Sequence, residues 1–534
     1  MDQHPDNFSH LIVTNAPLDE KARAHFQDRL HALDITLEQM VNRRQEYLEL
    51  LSRWRLIPLD ILGDIFRLVV VPQVVRYKET PSRRKPDSAK ELLALCLVCR
   101  RWREAALNTH RLWSALDISD YLSPRFSQKV ETWLARSGVL PKSLKIREEC
   151  SNPRDPRHRC RMMSTELAKF LAEGPRLEHL ALQCSSPLCL KGLLNVVKNG
   201  HSSPGSWDKI KSLQVTFSQW TELEPFNPAD TVFHQLPPVT SLDLRLPPLP
   251  RVRHRPNGNY DSDLNYNEVV SDVGMALHIP ELALARLSHL TLHCNWNGAR
   301  IIAILRSTRS LQTLELDFAQ TTQTFGDPSQ IRGLMWNNLV LPNLEVLRLR
   351  RSNREVFEML QLIQTPSLLE LDLEFYHEIG VRGNHPCAPH IMGLLERSNV
   401  RLRRFRMAGT YEIYDELGEI LLGLPSLVHI TLDGINIYYS VFRNLKSAIP
   451  PALPLLEYME LYNVDLRERY SAWLDEELMP VADIIRYFDS RKSIKQADGT
   501  PLVMTDVIAR SDNPQTDFVI SNGVVTMAPQ DEEF

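Results

Sequence analysis

One short pattern, apolar-x-x-apolar-x-apolar, recurs ten times and limits what this chain can fold into more than any other feature. It reads "LEHLAL" from Leu177, "IKSLQV" from Ile210, "VTSLDL" from Val239, "LSHLTL" from Leu287 and "LQTLEL" from Leu311. It continues as "LEVLRL" from Leu344, "LLELDL" from Leu368, "LRRFRM" from Leu402, "LVHITL" from Leu427 and "LEYMEL" from Leu456. Successive copies start 24 to 48 residues apart, and the longest gap holds a polar, Pro-rich insert, "RLPPLPRVRHRPNGNYDSDLNYNE". Between the copies lie helical stretches such as "LKGLLNVVKN", "ARIIAILRST", "EVFEMLQLIQ", "HIMGLLERS" and "ELGEILLG". One strand and one helix per unit predicts a right-handed βα solenoid, in which each unit buries its apolar positions only against its neighbours. "LPKSLKI" around Leu144 is the expected irregular opening unit.

In such units the residues between the buried positions point to the opposite, concave face. That places Glu315 and Asp317, Arg348 and Arg350, then Glu370, Asp372 and Glu374 side by side on it, followed by Arg404 and Arg406, Asp433, and Tyr458, Glu460 and Tyr462. The sign alternates from unit to unit, and neighbouring strands lie about 4.8 Å apart, so opposite charges meet across the ladder. Two functions fit: a self-neutralising ladder that supports the sheet, or a groove that binds a protein substrate through charge stripes and a tyrosine patch.

The N-terminal segment is different. From Asp19 to about Trp54 there is no Gly or Pro, and Phe26, Leu30, Leu33, Leu37, Met40, Tyr47 and Leu51 form a stripe at four-three spacing, interrupted by Arg44. This predicts one long amphipathic helix. The expected partner of its stripe is the chain's own body; a coiled-coil dimer is the alternative. Pro58 then opens a second helical pattern carrying Ile61, Leu62, Ile65, Phe66 and Val69. A polar stretch, "RYKETPSRRKPDSAKE", reads as a loop, and helical spacing resumes through Leu92, Leu95, Val98, Trp102 and Ala106.

Several chemistries find no support. The net charge is -4 over 534 residues, and the basic runs "SRRKP" and "RVRHR" read as solvated loops, so no nucleic-acid partner is expected. No apolar run approaches the roughly 20 residues that cross a bilayer, and the N-terminus lacks the basic flank and apolar core of a secretory signal. The expectation is a soluble protein of the cytoplasm or nucleus. Eight scattered cysteines form no disulfide framework, and Cys96 and Cys99 read as buried free thiols. Cys150, His158 and Cys160 lack regular ligand spacing, so neither metal nor cofactor is expected. Phosphate loops, nucleophile elbows and zinc-protease motifs are missing from the sequence, which predicts no catalytic residues.

"RLIPLDILGDIF" followed by "LLALCLVCRRWREAALNTHRLW" resembles an F-box, the helical module that docks on the Skp adaptor of SCF-type cullin–RING ubiquitin ligases. The resemblance covers roughly Leu56 to Ile118. With its leading helix and trailing leucine-rich units, the layout looks like F-box proteins common in fungi. It implies that Pro58, Ile61, Leu62, Ile65, Leu97, Val98 and Trp102 form the module core or the adaptor face. The long polar loop from Val70 to Glu91 departs from the compact module and bears on adaptor affinity.

The expected fold class is therefore α/β. Residues 1–18 are a disordered tail, 19–55 the amphipathic helix, 56–118 the F-box-like domain, 119–490 a leucine-rich-repeat solenoid, and 491–534 a tail with a hairpin around Asn522-Gly523. The expected function is a non-catalytic substrate receptor that presents a protein of unknown identity to the ligase. The alternatives are a scaffold in which the helices only cap the solenoid, and a regulator that supplies an arginine such as Arg348 to a GTPase.

Overall fold

The computed structural model describes residues 18–51, 56–70, 88–118, 126–147, 160–200, 207–218, 231–247, 277–294, 298–318, 339–352, 358–375, 387–409, 416–462, 465–467, 487, 506–510, 518–521 and 524–527. The expected N-terminal disordered tail apart from Leu18, most of the polar loop after Val70, Cys150 and His158, the "RVRHR" run, the Asn522-Gly523 turn and the last residues lie outside them. The chain divides into two compact units, Met1–Leu112 and Trp113–Phe534.

The first unit is helical. α1 (Glu20–Leu50) starts at Asp19, whose carboxylate accepts the Ala22 N–H at 2.7 Å and so satisfies one of the free amides of the first turn. The apolar stripe of α1 is not packed away, as the sequence led us to expect: Leu37 is 66% exposed and Met40 67%. The physical reason is width. A helix that packs on a globular core needs an apolar face of some 100° or more, whereas a seam at four-three spacing is narrower.

Three further helices, α2 (Leu59–Val70), α3 (Ser88–Val98) and α4 (Arg100–Asn108), build a small core. It takes Leu62, Phe66 and Val70 from α2, Leu92 and Cys96 from α3, and Ala105 and Ala106 from α4. The Phe66 and Trp102 rings lie 5.1 Å apart, a favourable tilted contact. Gly63 has no side chain to spare: a Cβ there would collide with the Thr109 hydroxyl, so α2 and the end of α4 approach as closely as they do because it is glycine. Arg101 donates to the Ile57 carbonyl at 2.7 Å and ties the start of α2 to α4. Of the two thiols expected to be buried here, Cys96 is, but Cys99 is exposed. Its position explains this: Cys99 is the N-cap of α4, and its sulfur accepts the Trp102 N–H at 3.5 Å.

The second unit is built on strands β1 (Ala115–Ile118), β2 (Ser143–Arg147), β3 (His179–Cys184), β4 (Ser212–Phe217), β5 (Ser241–Arg245), β6 (His289–His293) and β7 (Thr313–Asp317). After these come β8 (Leu339–Val340), β9 (Val346–Ser352), β10 (Ile363–Gln364), β11 (Glu370–Phe375), β12 (Arg404–Ala408), β13 (His429–Asp433), β14 (Asn436–Tyr438), β15 (Tyr458–Tyr462) and β16 (Asp465–Arg467). The last are β17 (Asp506–Arg510), β18 (Phe518–Ser521) and β19 (Val524–Met527). Among the described residues they form a fifteen-stranded sheet in the order β1-β2-β3-β4-β5-β6-β7-β9-β11-β12-β13-β15-β17-β18-β19. β8 pairs with β10 and β14 with β16. Pairing is parallel from β1 to β17 and antiparallel through β18 and β19. This arrangement, with helices between many of the strands, is consistent with a βα solenoid.

Each of the ten sequence repeats supplies one strand of this sheet. The register aligns their apolar positions in rows: Leu290, Leu314, Leu347, Leu371, Phe405, Ile430 and Met459 face one another in sequence. All are essentially buried, in one continuous core with helix residues such as Leu190, Ile302, Ile391 and Ile420. Two boundaries differ from the sequence expectation. The sheet begins at β1, inside the segment assigned to the F-box-like domain, because Leu116 and Ile118 align with Leu144 and Ile146. At the other end β17 to β19 extend it past 490. β1 and β17 lack the repeat motif, which is why the periodicity missed them; β18 and β19 flank Asn522-Gly523, where the sequence reading put a hairpin, and pair antiparallel with Ser521 opposite Val524. Trp113 is interior, 4.7 Å from Trp133 and covered by the Arg136 guanidinium.

Because each Leu row is buried only by its neighbours, a gap in the middle has no other part of the core to fill it. Leu371→Ala should therefore cost about 2–5 kcal/mol of stability. The exposed neighbour Leu369→Ala should stay within about 0.5 kcal/mol of wild type. Denaturant unfolding of the two variants checks both.

Candidate functional site

The helical unit carries more apolar surface than its core uses. α2 turns Leu62, Phe66 and Val70 inward and leaves a second apolar row, Ile61, Ile65, Leu68 and Val69, at helical spacing beside it. In α3, Leu92 and Cys96 are buried while Leu93, Leu97 and Val98 are exposed. Of the residues assigned from sequence, Leu62 is core at 3% exposure, and Ile65 and Trp102 are half-buried. Pro58 is exposed at the head of α2, where its carbonyl accepts the Leu62 N–H at 3.0 Å. Ile61 is 49% exposed, Leu97 74% and Val98 59%. Leu68, Val69 and Leu93 belong to the same exposed set and were not assigned from sequence. The signal for them was present: a helix needs one apolar stripe to pack, and α2 has two. Six exposed large apolar residues on two helices of one small module are the mark of a binding surface.

The open face of the sheet is charged, and the ladder expected from sequence forms. Arg348 donates to Glu370 at 2.9 Å and lies 3.8 Å from Glu315. Arg350 makes a two-pronged pair with Asp372, at 2.7 and 3.0 Å, and reaches Glu374 at 3.3 Å. Arg406 donates to Asp372 at 2.9 Å and to Asp433 at 3.4 Å. Asp317 breaks the simple pattern. Strand register sets it opposite Arg350, yet its oxygens accept from Arg351 at 2.7 and 2.6 Å and contact His293 Nδ1 at 2.8 Å. Arg351 has a left-handed backbone, φ 47°, close to a register shift between β9 and β11 that turns its side chain to the same face as Arg350. Sequence alternation could not place it there, since it would point Arg351 to the opposite side.

These pairings fix the electrostatics. Burial alone would raise Asp317, but the hydrogen bonds from His293 and Arg351 outweigh it and hold the carboxyl down at about 2. Asp372 goes the other way: burial raises it to about 6 against the pull of Arg350 and Arg348, with Glu374 adding to the rise. Arg350 holds its proton more tightly than usual despite burial, because Asp372, Glu374 and Glu315 surround it. The two directions are compatible, since three carboxylates share Arg350 while Asp372 is buried beside a like charge.

Arg348, Arg350 and Arg406 are thus committed to neighbouring strands, and an arginine free to reach a partner's nucleotide is not found at Arg348. Of the face residues assigned from sequence, those left outward are Arg404, whose side chain is 69% exposed, Tyr458, exposed and 5.7 Å from the His429 ring, and the half-buried Tyr462. Among the described residues no cluster of His, Cys, Asp and Glu could hold a metal, and no helix is long and apolar enough to cross a membrane.

Folding lowers Asp317 from its ordinary 3.8 to about 2, so between those values the folded chain binds fewer protons than the unfolded one. Its contribution is complete above about pH 4 and is lost as pH falls toward 2. Asp317→Asn should cost about 2 kcal/mol at pH 7, with the gap to wild type closing between about pH 4 and 2. Urea unfolding across that pH range measures it.

Comparison with known proteins agrees with the helical geometry. Residues 54–119 match the F-box-like family model, closely the span over which the sequence resembles that module. No curated protein matches the chain. The two-sided helices α2 and α3, with α4 behind them, therefore belong to an F-box-like domain.

Proposed function

We propose that the protein is a non-catalytic substrate receptor of an SCF-type cullin–RING ubiquitin ligase, acting in the cytoplasm or nucleus. The F-box-like domain binds a Skp-family adaptor through Ile61, Leu97 and Val98, with Pro58, Ile65 and Trp102 at the margin and Leu62 holding α2 in place from within. The parallel sheet, taken as a leucine-rich-repeat solenoid of the kind found in fungal F-box proteins, holds the target protein. Ubiquitin transfer belongs to the enzymes that the adaptor and cullin bring.

The observation that carries this proposal is the second apolar row on α2 and α3. Core packing accounts for Leu62, Phe66 and Leu92 but gives no reason for Leu97 to stand 74% exposed. A scaffold whose helices serve only to close the repeat array gives none either. For the target, the ion pairs of Arg348, Arg350, Asp372 and Arg406 favour a supporting role for those residues, and Glu315, Asp317 and Glu374 go with them. Target contacts then fall on Arg404, Tyr458 and Tyr462, where aromatic and arginine side chains give most of the energy at protein interfaces.

The test is binding of the purified chain to a purified Skp-family adaptor by titration calorimetry. Wild type should bind, and Ile61→Asp with Leu97→Asp should weaken binding at least about 100-fold, since each buries a charge in an apolar contact. Unfolding midpoints of the variant should match wild type because both positions are exposed. A wild-type chain that does not bind, or a folded variant that binds equally well, rejects the proposal.

A further inference from the structure

The exposed stripe of α1 belongs neither to the F-box-like match nor to the sheet. We propose that α1 pairs with α1 of a second copy of this chain, as a parallel, in-register two-stranded coiled coil.

Three observations point to a second copy rather than to an unlike partner. The first is the stripe's geometry. Phe26, Leu33, Met40 and Tyr47 occupy one heptad position, d, and Arg23, Leu30, Leu37, Arg44 and Leu51 the other, a. The period of 3.5 residues is that of a seam between two supercoiled helices, and a seam with this period is complementary to itself. Leu30, Leu33, Leu37, Met40, Tyr47 and Leu51 are all exposed along this helix of about 46 Å. An isolated helix draws most of its stability in a protein from packing its apolar face, and α1 has that face unburied within its own chain.

The second is charge complementarity at the seam's flanks. In a parallel, in-register pair, each g position faces the e position five residues further on in the partner. Arg29 then faces Asp34 of the other helix, twice by symmetry. The remaining facing pairs are Ala22 with Gln27, Thr36 with Val41 and Arg43 with Leu48, so no like charges oppose one another at the flanks. Antiparallel pairing with the seam aligned sets Asp34 against Val41 and Arg43 against Thr36, and no attraction of this kind forms.

The third is Arg44. It lies in the seam, where two copies in register bring the two guanidiniums into one layer. A polar residue at such a position weakens a coiled coil while fixing its register and favouring a definite oligomer, and Arg44 has apolar layers on both sides whereas Arg23 lies in the first turn of the helix. Val41 and Leu48, exposed on the flank next to it, widen the apolar contact over the same turns.

Sedimentation of the purified full chain at micromolar concentration tests this, and it does not involve the adaptor, so its outcome is separate from that of the calorimetric test. The expected mass is twice the 61.5 kDa of one chain. Leu33→Glu with Leu37→Glu should return one-chain mass with α1 as the only lost helix by circular dichroism. Arg44→Leu should tighten the dimer about tenfold or more. Arg29→Asp should weaken it, and adding Asp34→Arg should restore it. A wild-type chain of single mass, or a dimer indifferent to the Leu33 and Leu37 changes, overturns the pairing. A charge swap that fails to restore the dimer, or an unchanged dimer in Arg44→Leu, overturns the parallel in-register arrangement.

Discussion

Everything in the larger unit depends on rows of leucine that have no burial except one another. In a parallel sheet, strand n buries its inward residues against strands n−1 and n+1 and against the helices between them. The array has to be continuous, and its rows run from Leu116 and Leu144 at β1 and β2 through Met459 at β15 without an apolar position missing. It also has to end. The chain solves this at the C-terminal edge by reversing direction, so that β18 and β19 pair antiparallel with β17 and with each other.

Once the leucines fix the register, the charges on the other face have no choice of neighbour. Arg348 is set between Glu315 and Asp372 by strand pairing, and it leans to Glu315 and Glu370. Arg350, Asp372 and Arg406 are half to fully buried, and a charge in that position is costly unless paired. The ladder therefore commits most of its groups to itself. Removing one partner would leave a buried charge uncompensated, so these side chains are under structural constraint whatever binds the face. Arg404 and Tyr458 stand outward beside the ladder.

Ten strands of the sheet were legible in the sequence because the motif repeats the packing unit itself. β1 and β17 fell outside that motif, since "ALDI" and "DVIAR" share the alternation of a strand but not the preceding leucine. Arg351 was hidden by a local left-handed residue, which shifts every alternation after it. In the F-box-like domain the positions of Leu62, Ile61 and Val98 were all read as apolar and helical, correctly. Which of them faces inward depends on which of two adjacent apolar rows the other helices cover, and spacing along one helix does not contain that. The same ambiguity produced the misplaced partner for α1, where a stripe was recognised but its width was not weighed.

Width also separates the two exposed apolar surfaces by the kind of partner each can take. The seam on α1 is little more than one side chain across, so a flat or globular surface would cover one edge and leave the rest wet; a second helix of the same period covers it along its length. The surface on α2 and α3 is short and broad, drawn from two helices whose inner rows are already locked in a core. Such a patch has its backbone already held by the inner rows, so little backbone ordering is required when a partner docks. A long narrow seam and a short preformed patch thus differ in the partner geometry each fits, a helix of the same period along its length for the one and a compact docking face for the other.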